Sequence, residues 1–291
     1  MFENQDELAG QVAIVTGAGA GLGRTHALEL ARRGASVLVN DLDEEAAKKV
    51  ALEITDANGS ALSFATSVTD EQGVADMVDF VVQSYGQIDI LVNNAGILRD
   101  RSFAKLNLDD FRFVMDVHFM GSVVCTKAVW DIMRSRNYGR IVLTTSCSGL
   151  FGNFGQTNYA AAKMALVGFM QSLSIEGDKY GIQINCLAPT ASTQMMEGIL
   201  EPEVLDQLAP EFASHGLVAL VGKNAPSRKI LCAGGGHFSI ANIMLTAGAR
   251  SADPENGADW NPEFWEQVSD TSSFSIPEYG FRQVEQELAG R

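Results

Sequence analysis

A chain of 291 residues has room for one large α/β domain or two smaller ones, and an apolar share of 46% supplies a sizeable core. The formal net charge of −15 argues against nucleic acid or an anionic membrane as a partner. No apolar run approaches the ~18 residues that a membrane-spanning helix needs, and the acidic start Met1-Phe2-Glu3-Asn4-Gln5-Asp6-Glu7 lacks a signal-peptide charge pattern.

In chain order, Val12-Ala13-Ile14-Val15 is a short apolar run suited to a strand buried on both faces. Thr16-Gly17-Ala18-Gly19-Ala20-Gly21-Leu22-Gly23 follows at once. A helix-forming stretch from Arg24 to Arg33 then ends at Gly34. Strand, glycine turn and helix form the context in which a backbone approaches a dinucleotide pyrophosphate and a helix N-terminus stabilises its charge. Ser36 to Asn40 is the next strand, and it ends at Asp41. A carboxylate there accepts bonds from the adenine-ribose hydroxyls and repels a 2′-phosphate, which selects NAD over NADP; the plainer reading is that Asp41 caps the following turn.

Asp43–Asn58 reads as a helix, Ala61–Thr66 as a strand, Asp70–Tyr85 as a helix and Ile88–Val92 as a buried strand running into Asn93. A long helix is predicted from about Leu108 to Asn137, with apolar positions at helical spacing. Gly139–Thr145 is the strand that delivers Ser146, Asn158–Tyr180 a helix, and Ile182–Leu187 a strand. Alternation of this kind implies a doubly wound parallel sheet, a Rossmann-type α/β fold, with ligands beyond the strand C-terminal ends. The NAD-binding and catalytic domain is expected over 1–250, including an irregular substrate loop at 190–214. An extension at 251–291 is expected to pack on the same domain or on a neighbouring subunit. Leu217–Val221 and Lys229–Cys232 are expected to add a helix and the last sheet strand, and Trp260–Ser269 a helix.

The chemistry lies in Asn158-Tyr159-Ala160-Ala161-Ala162-Lys163, with Ser146 upstream. At i, i+4 the phenol and the ammonium share one helix face. A phenol titrates near ~10, and a cation beside it lowers that value, so Tyr159 becomes a general acid/base for alcohol–carbonyl interconversion.

These residues resemble the short-chain dehydrogenase/reductase family over the first two hundred residues. Thr16–Gly23 is similar to its cofactor motif, Asn93-Asn94-Ala95-Gly96 to its strand-end motif, and Ser146, Tyr159 and Lys163 to its active-site set. Within the family, Asn94–Phe103 and Gly152–Gln156 look most like the dehydrogenase domain of peroxisomal multifunctional enzymes of type 2, which oxidises (R)-3-hydroxyacyl-CoA and some hydroxysteroids. The resemblance implies NAD as cofactor, held by Gly17, Gly19, Gly21, Leu22, Gly23, Asp41, Val68, Asn93, Tyr159 and Lys163. It also implies that Lys163 bonds the nicotinamide ribose, that Ser146 bonds the substrate oxygen, and that the chain forms a homodimer or homotetramer on the long helix and the catalytic helix.

Several positions depart from the family pattern. The usual asparagine of the proton relay aligns with His118, for which a relay role and a packing role are equally open. Asn93 either bonds near the ribose or bridges strands. Ser67 stands where the family has an aspartate, leaving the Val68 contact. Thr190 replaces a glycine and cannot easily adopt positive φ, so the loop there should differ. His26, His215 and His237 are too dispersed for a zinc site, and no metal is expected. Cys125, Cys147, Cys186 and Cys232 have no metal or redox spacing and are taken as reduced packing residues. Phe151, Phe154 and Met195 suit either a substrate wall or the core.

Together these features predict an NAD(H)-dependent oxidoreductase interconverting a hydrophobic secondary alcohol, such as a hydroxysteroid, and its ketone, in the cytoplasm. An (R)-3-hydroxyacyl-CoA dehydrogenase is the alternative, and a non-catalytic nucleotide sensor or scaffold the alternative of another class. A CoA thioester needs basic residues at the pocket mouth, where Arg99 and Arg101 are the candidates. The loop 190–214 has no lysine or arginine and carries Glu197, Glu201, Glu203, Asp206 and Glu211, which tilts the expectation to an uncharged alcohol.

Overall fold

The computed structural model describes residues 7–191, 206–251, 257 and 259–289. Two compact units are present, Met1–Ile240 and Ala241–Arg291.

The first unit alternates strands and helices from its start. Strands β1 (Val12–Thr16) and β2 (Ser36–Asp41) flank helix α1 (Gly21–Arg32). Helix α2 (Glu44–Asp56), β3 (Ser60–Ala65), α3 (Glu71–Tyr85) and β4 (Ile90–Asn93) follow. Their starts are written in the sequence: the Asp43 carboxylate accepts from the Glu45 and Ala46 amides, and Asp70 accepts from Gly73. Each such cap contributes roughly 1 kcal/mol. Gly86, at φ +80°, closes α3 in the left-handed conformation.

The long helix predicted over 108–137 is not uniform. It consists of α4 (Leu108–Met115), a π-helical turn (Asp116–Met120) and α5 (Gly121–Arg136). Within the π turn the Gly121 amide bonds to Asp116 O. The extra residue per turn changes which face looks inward, and hydrophobic spacing alone does not register it. Strand β5 (Gly139–Thr144) then leads into a short unpredicted helix, α6 (Cys147–Phe151). Helix α7 (Thr157–Asp178) and β6 (Ile182–Pro189) complete the run.

Of the expected loop at 190–214, residues 192–205, including Met195, Glu197, Glu201 and Glu203, lie outside the described residues. Its last part is regular: Pro210 opens helix α8 (Pro210–Val221), because a proline at the first helical position is already set at a helical φ. Thr190 has no positive φ, and its amide bonds to Ala233 O, extending the pairing of β6 with β7 (Ile230–Gly234). Strand β7 is not the last. Gly235 and Gly236, both at positive φ, turn the chain into β8 (His237–Ala241) at the sheet edge. Two consecutive residues at φ > 0 make the turn that suits a hairpin.

The sheet order is β3-β2-β1-β4-β5-β6-β7-β8, and every register from β3 to β7 is parallel. Val15, Val39, Val92, Val142 and Leu187 are all fully buried, one from each of five strands. The order reverses between β1 and β4, which opens a crevice at the C-terminal ends of those two strands.

The second unit pairs β9 (Leu245–Thr246) with β10 (Phe274–Ser275) in antiparallel register. Helix α9 (Pro262–Ser269) is capped by Asn261, and α10 (Phe281–Leu288) follows. The Trp260 ring lies 5.1 Å from Phe264 and 4.7 Å from Trp265 between centroids.

Candidate active site

The glycine turn is built so that no side chain fits where the backbone closes. A Cβ on Gly23 would sit 2.1 Å from Gly17 O, and one on Gly17, at φ +61°, 2.7 Å from Ala95 Cα. Gly21, at φ +52°, opens α1, and Leu22 beside it is half-buried. Ala20 caps α1 without a side-chain bond, so the orphan amides of its first turn are left for an anion. Asp41 Oδ2 accepts from the Gly19 amide at 2.9 Å while Oδ1 accepts from Asp43 N at 3.1 Å. The carboxylate thus holds the following turn as well as standing beside the glycine turn.

Two residues that spacing arguments did not single out latch this turn to β4. Thr16 Oγ1 accepts from the amides of Asn94 and Ala95 at 3.0 and 3.1 Å. Asn94 Nδ2 donates to Thr16 O and Gly17 O, each at 3.1 Å. Their signal was present, since both stand at the C-terminal ends of the neighbouring strands β1 and β4. Asn93 bridges neither strands nor the turn: its Nδ2 donates to Thr126 Oγ1 on α5 at 3.0 Å, and its buried Oδ1 has no partner among the described residues. Buried Val68 packs on Gly121, where a Cβ would come within 2.5 Å of its Cγ2.

At the neighbouring strand end, Ser146 caps α6 by accepting from Ser148 N at 3.2 Å. Its hydroxyl also faces the Tyr159 phenol on α7 and lowers that phenol's proton affinity. Lys163 is buried one turn along, its Nζ donating to Thr144 O at 2.5 Å and lying 5.5 Å from the Tyr159 ring centroid. The His118 ring meets Tyr159 edge-on at 5.2 Å. His118 Nε2 contacts the Ile97 backbone, 2.8 Å from its O and 3.1 Å from its N. Gly96 makes room for that ring, since a Cβ there would lie 2.2 Å from Cε1. Ser146, Tyr159, Lys163 and His118 are therefore brought together by β5, α7 and the π turn.

The short chain dehydrogenase family matches residues 11–203, two thirds of the chain. The chain belongs to that family. It is an oxidoreductase acting on CH–OH groups, on the fold with which the family binds a nicotinamide nucleotide. A Mycobacterium tuberculosis protein named as a short-chain type dehydrogenase/reductase is 41% identical over 276 residues, 91% of this chain and 96% of that one. The Drosophila melanogaster peroxisomal multifunctional enzyme type 2 is 47% identical over 212 residues, 70% of this chain but only 35% of the relative. The solved structure of that full-length enzyme superposes with a TM-score of 0.80 at 34% identity, covering 96% of this chain and 49% of that one. A 7α-hydroxysteroid dehydrogenase complexed with NADH and 7-oxo glycochenodeoxycholic acid superposes with a TM-score of 0.75 at 30% identity, over 81% of this chain and 98% of that one.

The electrostatics of this short-chain dehydrogenase differ from the simplest expectation. Lys163 does not bring the Tyr159 phenol below its ordinary value in the free protein. Burial pushes that phenol up, the Ser146 hydroxyl pulls it back, and Cys147 and Asp100 push it up further. Burial likewise brings the Lys163 ammonium down to about 7 and His118 to about 3, the latter helped by the neighbouring Lys163 charge. Desolvation disfavours every charged form here, and it outweighs one cation whose Nζ is turned to a backbone carbonyl. The cysteines also divide. Cys125 and Cys186 are buried packing residues, but Cys147 is exposed, because as the first residue of α6 it faces out of the core. Phe151 and Phe154 are exposed as well, at 74% and 91%, so core packing is excluded for both. His26 is buried on α1 and bonds Ser214 of α8 at 2.7 Å. Among the described residues there is no cluster of metal-ligating side chains, and no helix is long and apolar enough to cross a membrane.

Proposed function

We propose that this short-chain dehydrogenase uses NAD(H) to interconvert a hydrophobic secondary alcohol and its ketone. One observation carries the reading: Ser146 at the end of β5 and Tyr159 on α7 bring their hydroxyls together, so that Ser146 lowers the proton affinity of the phenol, next to the β1–β4 crevice. Two hydroxyls in that arrangement can both meet one substrate oxygen. Ser146 Oγ donates to it and stabilises developing charge, and Tyr159 Oη takes or returns the hydroxyl proton. Lys163 and His118 stand behind Tyr159. Lys163 orients the cofactor ribose and supplies positive charge, and His118 passes protons onward.

The residues fit a dinucleotide. The Gly17–Gly23 turn closes tightly on its own backbone, Ala95 and Asp41 and leaves open space beside Gly21 at the start of α1, whose amides suit a pyrophosphate. Asp41 favours a free ribose over a 2′-phosphate, which is the argument for NAD. Leu22, Val68 and Asn93 complete the contacts. When bound, the nicotinamide supplies the hydride acceptor or donor. A hydroxysteroid or similar alcohol is the first substrate class, in line with the steroid-bound relative. Arg99 is paired with Asp110 at 3.8 Å and set over the Phe113 ring, so part of its charge is already offset.

The second reading is a 3-hydroxyacyl-CoA substrate. It is favoured by the likeness to the Drosophila multifunctional enzyme and by Arg101, whose exposed side chain has no partner among the described residues. The setting proposed is a cytoplasmic homodimer or homotetramer, with Met164 and Ile175 exposed on α7 as interface candidates.

NAD reduction with a panel of sterols, hydroxyacyl-CoAs and aryl alcohols at mildly alkaline pH tests the reading. Turnover of at least one secondary alcohol, abolished by Tyr159→Phe with NAD binding retained, is the expected result. NAD binding without turnover of any of them would return the chain to the sensor class.

A further inference from the structure

The segments 94–103 and 152–156 are bonded to one another, and the bonds converge on the first turn of α7. Arg101 N donates to Gly155 O at 2.9 Å, and Asn158 Nδ2 donates to Arg99 O at 3.0 Å. Between them, Gln156 Nε2 donates to Asp100 Oδ2 at 2.6 Å, and Gln156 Oε1 accepts from Asn153 Nδ2 at 3.2 Å. Gln156 is the N-cap of α7 but makes no side-chain bond to the helix amides. Its amide group is committed to Asp100 instead. Gly152 and Gly155, at φ +80° and +81°, let 152–156 bend back far enough to present that side chain.

Tyr159 sits in this turn. Its own amide donates to Asn158 Oδ1 at 2.8 Å, and the Ala160 amide bonds to Gln156 O at 2.7 Å. The backbone that carries the phenol is therefore tied at both Gln156 and Asn158 to the segment following β4. That segment begins at Asn94 and Ala95, which hold the glycine turn. One continuous set of bonds links the nucleotide cradle to the residue that moves the proton.

We propose that Asp100 is a positioning residue for Tyr159, acting through Gln156 to fix the first turn of α7 against the segment after β4. The proposal rests on the reading of Tyr159 as the acid/base. The Asp100 charge is also felt at the phenol, whose proton affinity it raises. The other groups facing Tyr159 are Lys163 on its own helix, His118 on the π turn, and Ser146 and Cys147 at the start of α6. Asp100 is exposed, so water and salt screen its charge, and the bond to Gln156 is its larger contribution. Loss of about an ångström of placement at a reacting group costs up to ~10²-fold in rate.

The test compares Asp100→Ala, Asp100→Asn and Gln156→Ala with the wild type by two measurements. The first is kcat and KM for NAD and for the best alcohol substrate. The second is hydrogen exchange of the peptide covering 153–163 in the ligand-free protein. Asp100→Ala and Gln156→Ala are expected to lower kcat ~10-fold or more, with KM for NAD little changed and faster exchange in 153–163. Asp100→Asn keeps an acceptor for Gln156, so it should recover most of the turnover while the acid limb of the pH profile for alcohol oxidation moves to lower pH. Wild-type kcat in Asp100→Ala overturns the proposal, as does an Asp100→Asn variant as slow as the alanine. Should Asp100→Ala fail to fold, Gln156→Ala carries the same two readouts. If the wild type turns over no alcohol, the functional reading fails, and unchanged exchange in both alanine variants then overturns the positioning on its own.

Discussion

His26 and His118 should make this protein lose stability in mild acid, and the size of the loss follows from their burial. Both imidazoles are buried and neutral, held to about 4 and about 3, whereas a histidine in an unfolded chain titrates near ~6.5. The folded state therefore binds fewer protons than the unfolded state between those limits, so stability rises with pH there. The contribution is complete above about pH 6.5 and drains away as pH falls towards about 4 for His26 and about 3 for His118. At pH 5 an unfolded histidine is almost fully charged while neither folded one is, which costs about 2 kcal/mol each, about 4 kcal/mol for the pair. That is a large part of the 5–15 kcal/mol that holds a typical domain. Urea unfolding at about pH 7.5 and about pH 5 measures it. His26→Gln, far from the catalytic cluster and still able to meet Ser214, should lose about 2 kcal/mol less than the wild type over the same interval. Carboxylates and Lys163 titrate alike in both proteins and cancel in the difference. Equal losses in the wild type and the variant would refute the argument, since His26 would then be charged inside the fold or already solvated.

Gly23→Ala puts a methyl 2.1 Å from a backbone carbonyl that cannot rotate away, so NAD affinity should fall at least ~10-fold by fluorescence titration, with a lowered melting temperature. Asp41→Asn removes the charge but can still accept from Gly19, so the fold should hold while the preference for NAD over NADP shrinks about 10-fold or more, read from the two kcat/KM values. If His118 relays protons, His118→Ala should cut turnover steeply with NAD affinity unchanged, and wild-type turnover in that variant would assign the ring to packing alone.

The doubly wound sheet was legible because its central strands are short, buried on both faces and punctuated by residues with one structural use. Asp43 and Asp70 mark helix starts by side-chain capping, and Gly86 marks an end by its left-handed φ. What periodicity could not show depends on single residues in a larger context. The π turn at 116–120 changes nothing in the apolar pattern of the long helix, yet it decides that His118 lies inside. Strand β8 follows the strand expected to be the last, because Gly235 and Gly236, both at positive φ, turn the chain back into a hairpin. Helix α8 was half hidden because Pro210 serves equally as a loop residue and as a first helical residue.

The grouping of Ser146, Tyr159 and Lys163 could be read from spacing, since the distance between a strand end and a helix start changes little once the fold is set. The proton affinities could not, because they depend on depth as well as on neighbours. A cation four residues away suggests a lowered phenol, but the same helix face that brings Lys163 near Tyr159 also buries it and turns its Nζ to Thr144 O. Desolvation then acts on both partners in opposite directions, raising the phenol and lowering the ammonium to about 7. With its proton held more tightly, free Tyr159 stands ready as an acid, the form that reduces a ketone. To act as a base towards an alcohol it needs further positive charge nearby. The direction that the enzyme favours at neutral pH is therefore tied to what occupies the crevice beside Ser146, and not to the Tyr159–Lys163 pair alone.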